Sequence, residues 1–278
     1  MRTQLLLFGA MAGLLTAVSC STGPEPPRPG TPAFFWNAAQ STYHSGDFVK
    51  ASENLQQIVR SENEFTVRAR PWAIVMSAGM ARGYAETADA YDAGAKMNRA
   101  NPMPFRKAAS QLRTQANAAA LEFTEGIHRY MDVDKAPELT LAFDYPAGGA
   151  AEPPSLRKIS AGQLIQESEH ESVVRAMVQR GALMAAGRAA GSPNDPAKTL
   201  ETMKNGDAKR PRAEFLAAMA QELFDRTDLF GSTKLDLPNR TKMMCQEALE
   251  ALQAGPETKE SKALKAKIEA ALKKIKPT

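Results

Sequence analysis

The side chains able to do chemistry are few and scattered. Three histidines, His44, His128 and His170, lie far apart, and none belongs to a His-Glu-x-x-His or paired-cysteine arrangement, so no metal ligand is nominated. Glu167 and His170 form one Glu-x-x-His, which sets a carboxylate and an imidazole on one helical face. Di-metal bundle chemistry needs two such motifs and further glutamates, so a single copy reads as an exposed capping cluster. No Gly-x-Ser-x-Gly elbow, Gly-x-x-x-x-Gly-Lys-Ser/Thr loop or Gly-x-Gly-x-x-Gly turn occurs, and no motif pairs a serine with a histidine. Catalytic residues and cofactors are therefore expected to be none. The aromatic group Phe34, Phe35, Trp36, Tyr43 and Trp72 has the character to line a groove, although aromatics at these spacings more often form the core of a helical stack.

The two cysteines carry different expectations. Residues 1–20 begin with Arg2, continue through an apolar run from Leu5 to Leu15 and end in Ala17-Val18-Ser19-Cys20, the layout of a secretory signal. The last four residues resemble a bacterial lipobox, with Ala17 where leucine is commoner. That resemblance implies cleavage before Cys20 and a diacylglycerol on its thiol, and Ser21 in place of Asp resembles the pattern of lipoproteins passed to the outer membrane. Residues 21–32, STGPEPPRPGTP, have no helical or strand period and read as an extended tether. Cys245 falls in a predicted helix, so after lipidation of Cys20 no intramolecular disulfide remains, and Cys245 is expected to be a small buried apolar residue.

What must position these groups is helical. Apolar content of 43% with 24% charged residues is ordinary for a globular core, and stretches of alternating Val, Ile, Thr and Tyr are hard to find. The net charge is +4, or +3 once Arg2 is removed, and it is spread along the chain except near the end, which implies no nucleic acid partner. Thr31 as N-cap and Pro32 at the first helical position open the first helix. Phe35, Ala38, Ala39 and Thr42 share one face, and after Ser45-Gly46-Asp47 the residues Ala51, Leu55, Ile58 and Val59 repeat the spacing.

This hairpin resembles a tetratricopeptide repeat. The likeness rests on Phe35 and Trp36 in the first helix, small Ala39, aromatic Tyr43, Gly46-Asp47-Phe48 at the turn, then Ala51, Leu55 and Ile58. Thr42 stands where the family has a tyrosine, and Asn63 where it has the closing proline. The resemblance implies antiparallel helical hairpins stacked as a short α-solenoid over residues 33–131. A second hairpin is expected from Pro71. Trp72, Val75, Met76, Gly79, Met80 and Gly83 form its first stripe, and Tyr84, Ala88, Tyr91 and Ala95 its second helix. From Phe105 to Tyr130 the apolar positions alternate by three and four without a break and predict one long helix.

Residues 132–155, broken by Pro137, Pro146, Gly148, Gly149, Pro153 and Pro154, read as a linker. Within it LTLAFDY has the look of an extended stretch. Residues 156–278 return to helices: one after a capping-box spacing at Ser168 to Glu171, then around 197–204, 212–226, 239–254 and 257–276, the last with seven lysines off its apolar side. The expectation is thus an all-α, non-enzymatic protein, lipid-anchored on the periplasmic face of the bacterial outer membrane, serving as a protein interaction scaffold. Trp36, Tyr43, His44 and Trp72 are its candidate partner-binding residues. A carrier for an apolar small molecule or lipid is the alternative, a cell-envelope enzyme the third reading. The likeness extends by analogy to the helical lipoprotein subunit of the outer-membrane barrel assembly machine.

Overall fold

The structure, a computed structural model, describes residues 26–146, 151–224, 237–254 and 257–275. The signal segment and Cys20 lie outside them. The fold is all-α: ten helices and one two-stranded sheet make up the described residues. In order these are α1 (Pro32–His44), α2 (Phe48–Val59), α3 (Thr66–Met97), α4 (Met103–Val133), β1 (Glu138–Leu141), α5 (Pro154–Ser160), α6 (Glu167–Ala189), α7 (Pro196–Thr202), β2 (Ala208–Pro211), α8 (Arg212–Phe224), α9 (Leu237–Ala254) and α10 (Lys259–Leu272).

The first hairpin forms for local reasons. Thr31 caps α1 by accepting from the Phe34 amide, Asp47 caps α2 by accepting from the Lys50 amide, and Gly46 takes φ +77° in the turn between them. The second hairpin does not form. Where two helices were expected to meet near Gly83 and Tyr84, α3 runs unbroken for 32 residues, about 48 Å. Pro71 lies inside it rather than at its start, because Thr66 already opens the helix and a proline this early forgoes a single backbone bond.

The two glycines serve a contact, not a turn. Helix α6 lies antiparallel on α3 so closely that a Cβ on Gly79 would stand 2.1 Å from the Ala182 Cα and one on Gly83 2.5 Å from the Met177 carbonyl oxygen. On a neighbouring side α4 also runs antiparallel to α3, with Phe105 against Gly94 and Ile74 against Gly126. The central helix is therefore flanked by two mutually parallel ones and buried over most of its length.

Segment 132–155 contributes to this core. β1 pairs antiparallel with β2, Leu139 opposite Arg210 and Leu141 opposite Ala208, and Phe143 and Tyr145 beyond it are buried. β2 and α5 had no counterpart in the periodicity, being too short to show one. A buried ionic group then ties α8 to the centre. Arg82 donates from Nε and Nη2 to the two carboxylate oxygens of Glu222, each at 2.7 Å, and Arg188 Nε lies 3.1 Å from the same carboxylate. Both oxygens being satisfied is what makes a charge tolerable there.

Candidate functional site

Three of the four residues expected on a binding surface are core. Trp36 stacks on Phe65 beneath the Arg68 guanidinium; Tyr43 and Trp72 close around Phe143, with ring centroids 5.0 and 4.7 Å away. The Tyr43 hydroxyl donates to the Asp144 carbonyl at 2.7 Å, and burial raises its pKa well above the ordinary phenol range, with the Asp144 carboxylate adding to the effect. The reason is Phe143: the segment carrying it folds back on α1 and α3 and fills the space in which the three rings would otherwise meet solvent. Only His44 of the four is exposed, its Nε2 3.1 Å from Asp144 Oδ1.

The surface feature that stands out lies elsewhere. A trough runs along α6, bordered by α2 at its inner end and by α4 and Tyr91 of α3 at its outer end. Its inner part, about 490 Å³, is lined by Phe48, Val49 and Glu53 of α2, Gln115 of α4, and Glu171 and Val174 of α6 among others. Its outer part, about 330 Å³, continues over Tyr91 between Pro104, Lys107 and Gln111 on one wall and Leu164, Glu167 and His170 on the other. Glu167 and His170 border both parts, so the two are continuous. From residue 104 to 115 the α4 wall is about 16 Å long at 1.5 Å per residue. An extended segment of about five residues fits that length.

Polar groups sit at the middle of the trough. Tyr91 Oη and His170 Nδ1 share a 2.6 Å hydrogen bond, their rings meeting edge to face at 5.5 Å. Burial pushes the Tyr91 phenol up to about 12, helped by the carboxylates of Glu167 and Glu169. Glu169, next to His170 on α6, accepts from Ser155 Oγ and lies 3.1 Å from Lys158 Nζ, which together hold its carboxyl below the usual range. The capping box expected at Ser168 to Glu171 is absent: α6 starts at Glu167 with Gln166 as N-cap and no side chain capping it, so Ser168 already lies inside the helix.

The Glu-x-x-His spacing placed Glu167 and His170 on one face, yet Tyr91, 79 residues away, had no signal beyond its place in a helical stripe. Among the described residues no group of three or more His, Cys, Asp or Glu is arranged to hold a metal. Cys245 is buried, and burial alone raises its thiol to about 11. No helix among the described residues is long and apolar enough to cross a membrane. Comparison with protein-family models, with curated proteins and with solved structures finds no match to this chain.

Proposed function

We propose that the chain is a binding scaffold of the bacterial envelope, held to the outer membrane by lipid on Cys20, that takes a short segment of another protein into the trough between α4 and α6. The observation that carries this reading is the form of the trough: open along its length, walled by α6 on one side and by α4 and then α2 on the other, and lined by apolar and charged side chains together. Apolar Phe48, Val49, Val174 and Ile165 supply burial, while Lys50, Lys107, Arg175, Glu53 and Glu171 supply registration. An enclosed apolar chamber is what a lipid carrier needs instead. In this reading α1 and α2 are one tetratricopeptide-like unit, and α3, α4 and α6 are a longer extension of the same helical stacking.

The carrier reading draws on one observation of its own, a cleft of about 270 Å³ between α4 and α9 lined by Ile127, Met131, Met243 and Met244. A photoreactive residue at Gln115 or Glu171 in the cell separates the two. The scaffold predicts one protein adduct common to both positions, absent from a probe at Lys198 on α7 and abolished by Val174→Trp, which fills the trough. Adducts that ignore Val174→Trp would overturn it. Labelling with a fatty-acid probe tests the anchor separately, with incorporation expected in the native chain and lost in Cys20→Ala.

A further inference from the structure

The mouth of the trough carries a surface of a different character. Seven large apolar side chains are exposed among the described residues, and three of them, Met97 at 67%, Met103 at 65% and Leu164 at 56%, fall at this one end of the molecule. Met97 ends α3, Met103 begins α4, and Leu164 sits in the α5–α6 loop. The loop is fastened to the turn: Asn98 Nδ2 donates to the Gly162 carbonyl at 3.0 Å, and Asn98 Oδ1 accepts from the Asn101 amide at 3.0 Å. Leu164 shares the outer trough with Pro104 and Lys107. The three apolar side chains are thus presented by a braced platform rather than by loose loops.

Around them positive charge predominates. From residue 93 to 121 there is no Asp or Glu, and from 153 to 166 there is none either, while Lys96, Arg99, Arg106, Lys107, Arg113, Arg157 and Lys158 fall in these stretches. Arg113 is held by Asp89 and Asp92, Lys158 by Glu169, and Arg157 lies 3.9 Å from Glu152. Lys96, Arg99, Arg106 and Lys107 are exposed, and among the described residues no carboxylate lies within ion-pairing distance of them. Glu167 on the far wall is the carboxylate that borders the same cleft as Lys107. The opposite end of α3 shows what an uncommitted end looks like. There Val67 is similarly exposed, but Glu62 and Glu64 precede it closely in sequence and Arg70 on the same helix is taken up by Glu62 and by Asp134 just past the end of α4.

We infer that the platform of Met97, Met103 and Leu164, ringed by Lys96, Arg99, Arg106 and Lys107, is a docking surface for an anionic lipid bilayer. The chemistry is complementary at two depths. Unbranched Met and Leu side chains enter the boundary between headgroups and acyl chains, and the long Lys and Arg stems carry their charges up to lipid phosphates. An acidic protein segment would satisfy the cations but would leave the exposed Met97, Met103 and Leu164 side chains without an apolar partner. This surface does not depend on the lipid anchor. Residue 32 lies at the other end of α3, where Trp36 packs on Phe65 and Arg68, so a chain held at both points lies with α3 along the membrane.

The test uses the full chain with Cys20→Ala, labelled with an environment-sensitive fluorophore at Met97→Cys or Leu164→Cys; Cys245 is buried and escapes labelling. Each probe reports its own depth whatever else brings the chain to a vesicle. On vesicles of 30% phosphatidylglycerol in phosphatidylcholine both probes should shift to the blue and be quenched by bromine-labelled acyl chains, and a probe at Val67→Cys should do neither. The shift should vanish in 0.5 M salt. Changing Lys96, Arg99, Arg106 and Lys107 to Gln should raise the vesicle concentration required by a hundredfold or more, since each cation near the surface is worth about fivefold. Arg99→Lys with Arg106→Lys should restore nearly the full response. No shift on anionic vesicles overturns the inference. So does an equal shift on phosphatidylcholine alone, the same shift with polyglutamate, or a shift that grows with protein concentration without vesicles, which would assign the platform to a second copy of the chain.

Discussion

Replacing Gly79 by alanine should destabilise this protein, whereas the same change at Gly126 should not, although both glycines lie in the interior of long helices. At Gly126 a Cβ would meet only Ile74 Cγ1, at 3.3 Å, the movable end of a side chain. The ordinary preference of a helix for alanine, about 0.8–1 kcal/mol, then has little against it. At Gly79 the same methyl would stand 2.1 Å from the Ala182 Cα and 2.3 Å from its amide nitrogen, both backbone atoms of α6. Contact at about 3.5–4.0 Å requires the helices to part by well over an ångström. That movement also opens the joint at Gly181, whose own Cβ position is 2.1 Å from the Gly79 carbonyl oxygen, and it strains the Arg82–Glu222 bond farther along α3. Overpacking of a close-packed interface costs roughly 1–3 kcal/mol, and loosening its neighbours adds to that. After the helix preference is subtracted, Gly79→Ala should lose about 1–3 kcal/mol, a fall of roughly 3–10 °C in Tm for a chain of this size, and Gly126→Ala should hold steady or gain up to about 1 kcal/mol. Urea and thermal melts followed by circular dichroism at 222 nm read both. If Gly79→Ala is as stable as Gly126→Ala, the intimate α3–α6 contact is wrong, and with it the α6 wall of the trough.

The remaining expectations are quicker to state. Glu222→Gln should cost about 3–5 kcal/mol because Arg82 and Arg188 are left facing a neutral amide, while Arg82→Met with Glu222→Leu should cost less than the sum of the single changes in a double-mutant cycle. The Tyr91 phenol is pushed up to about 12 from an ordinary value near 10, so its neutral form is favoured by folding. The stability it contributes is complete below pH about 10 and is lost as the pH rises toward 12. Spectrophotometric titration near 295 nm should therefore show a late phase that Tyr91→Phe removes, and the alkaline limb of stability against pH should become shallower in that variant. Cys245, with its thiol at about 11 and no exposed surface, should react with a disulfide reagent only after unfolding, and rapid labelling of the native protein would contradict its place between α8 and α10.

The residues themselves spelled out whatever depends on a few neighbours along the chain. Thr31 and Pro32 announce the start of α1, Gly46-Asp47 announces the turn into α2, and the unbroken three-and-four alternation from Phe105 to Tyr130 announces α4 within a few residues of its ends. Each is a local balance of capping, backbone freedom and amphipathic period, and each can be read without a partner in view. The same logic misread Gly79 and Gly83. A glycine after an apolar stripe signals an end as readily as a close approach, and nothing near Gly83 says that Gly181 and Ala182 will lie against it. It also left Trp36, Tyr43 and Trp72 as candidates for a surface, since the ring that buries them, Phe143, comes from a stretch read as linker about 70 to 110 residues later.

Periodicity tells which side of a helix is apolar, but not which other apolar side will meet it. All-helical character, the first hairpin, the long fourth helix and a buried Cys245 were therefore open to reading from composition and spacing. The unbroken α3, the trough between α4 and α6, the Tyr91–His170 pair and the basic apolar platform at its mouth came only with the packed chain. Each of these exists because residues tens of positions apart compete for the same space around one central helix, and that competition is settled by shape and burial in three dimensions, not by any preference carried along the chain.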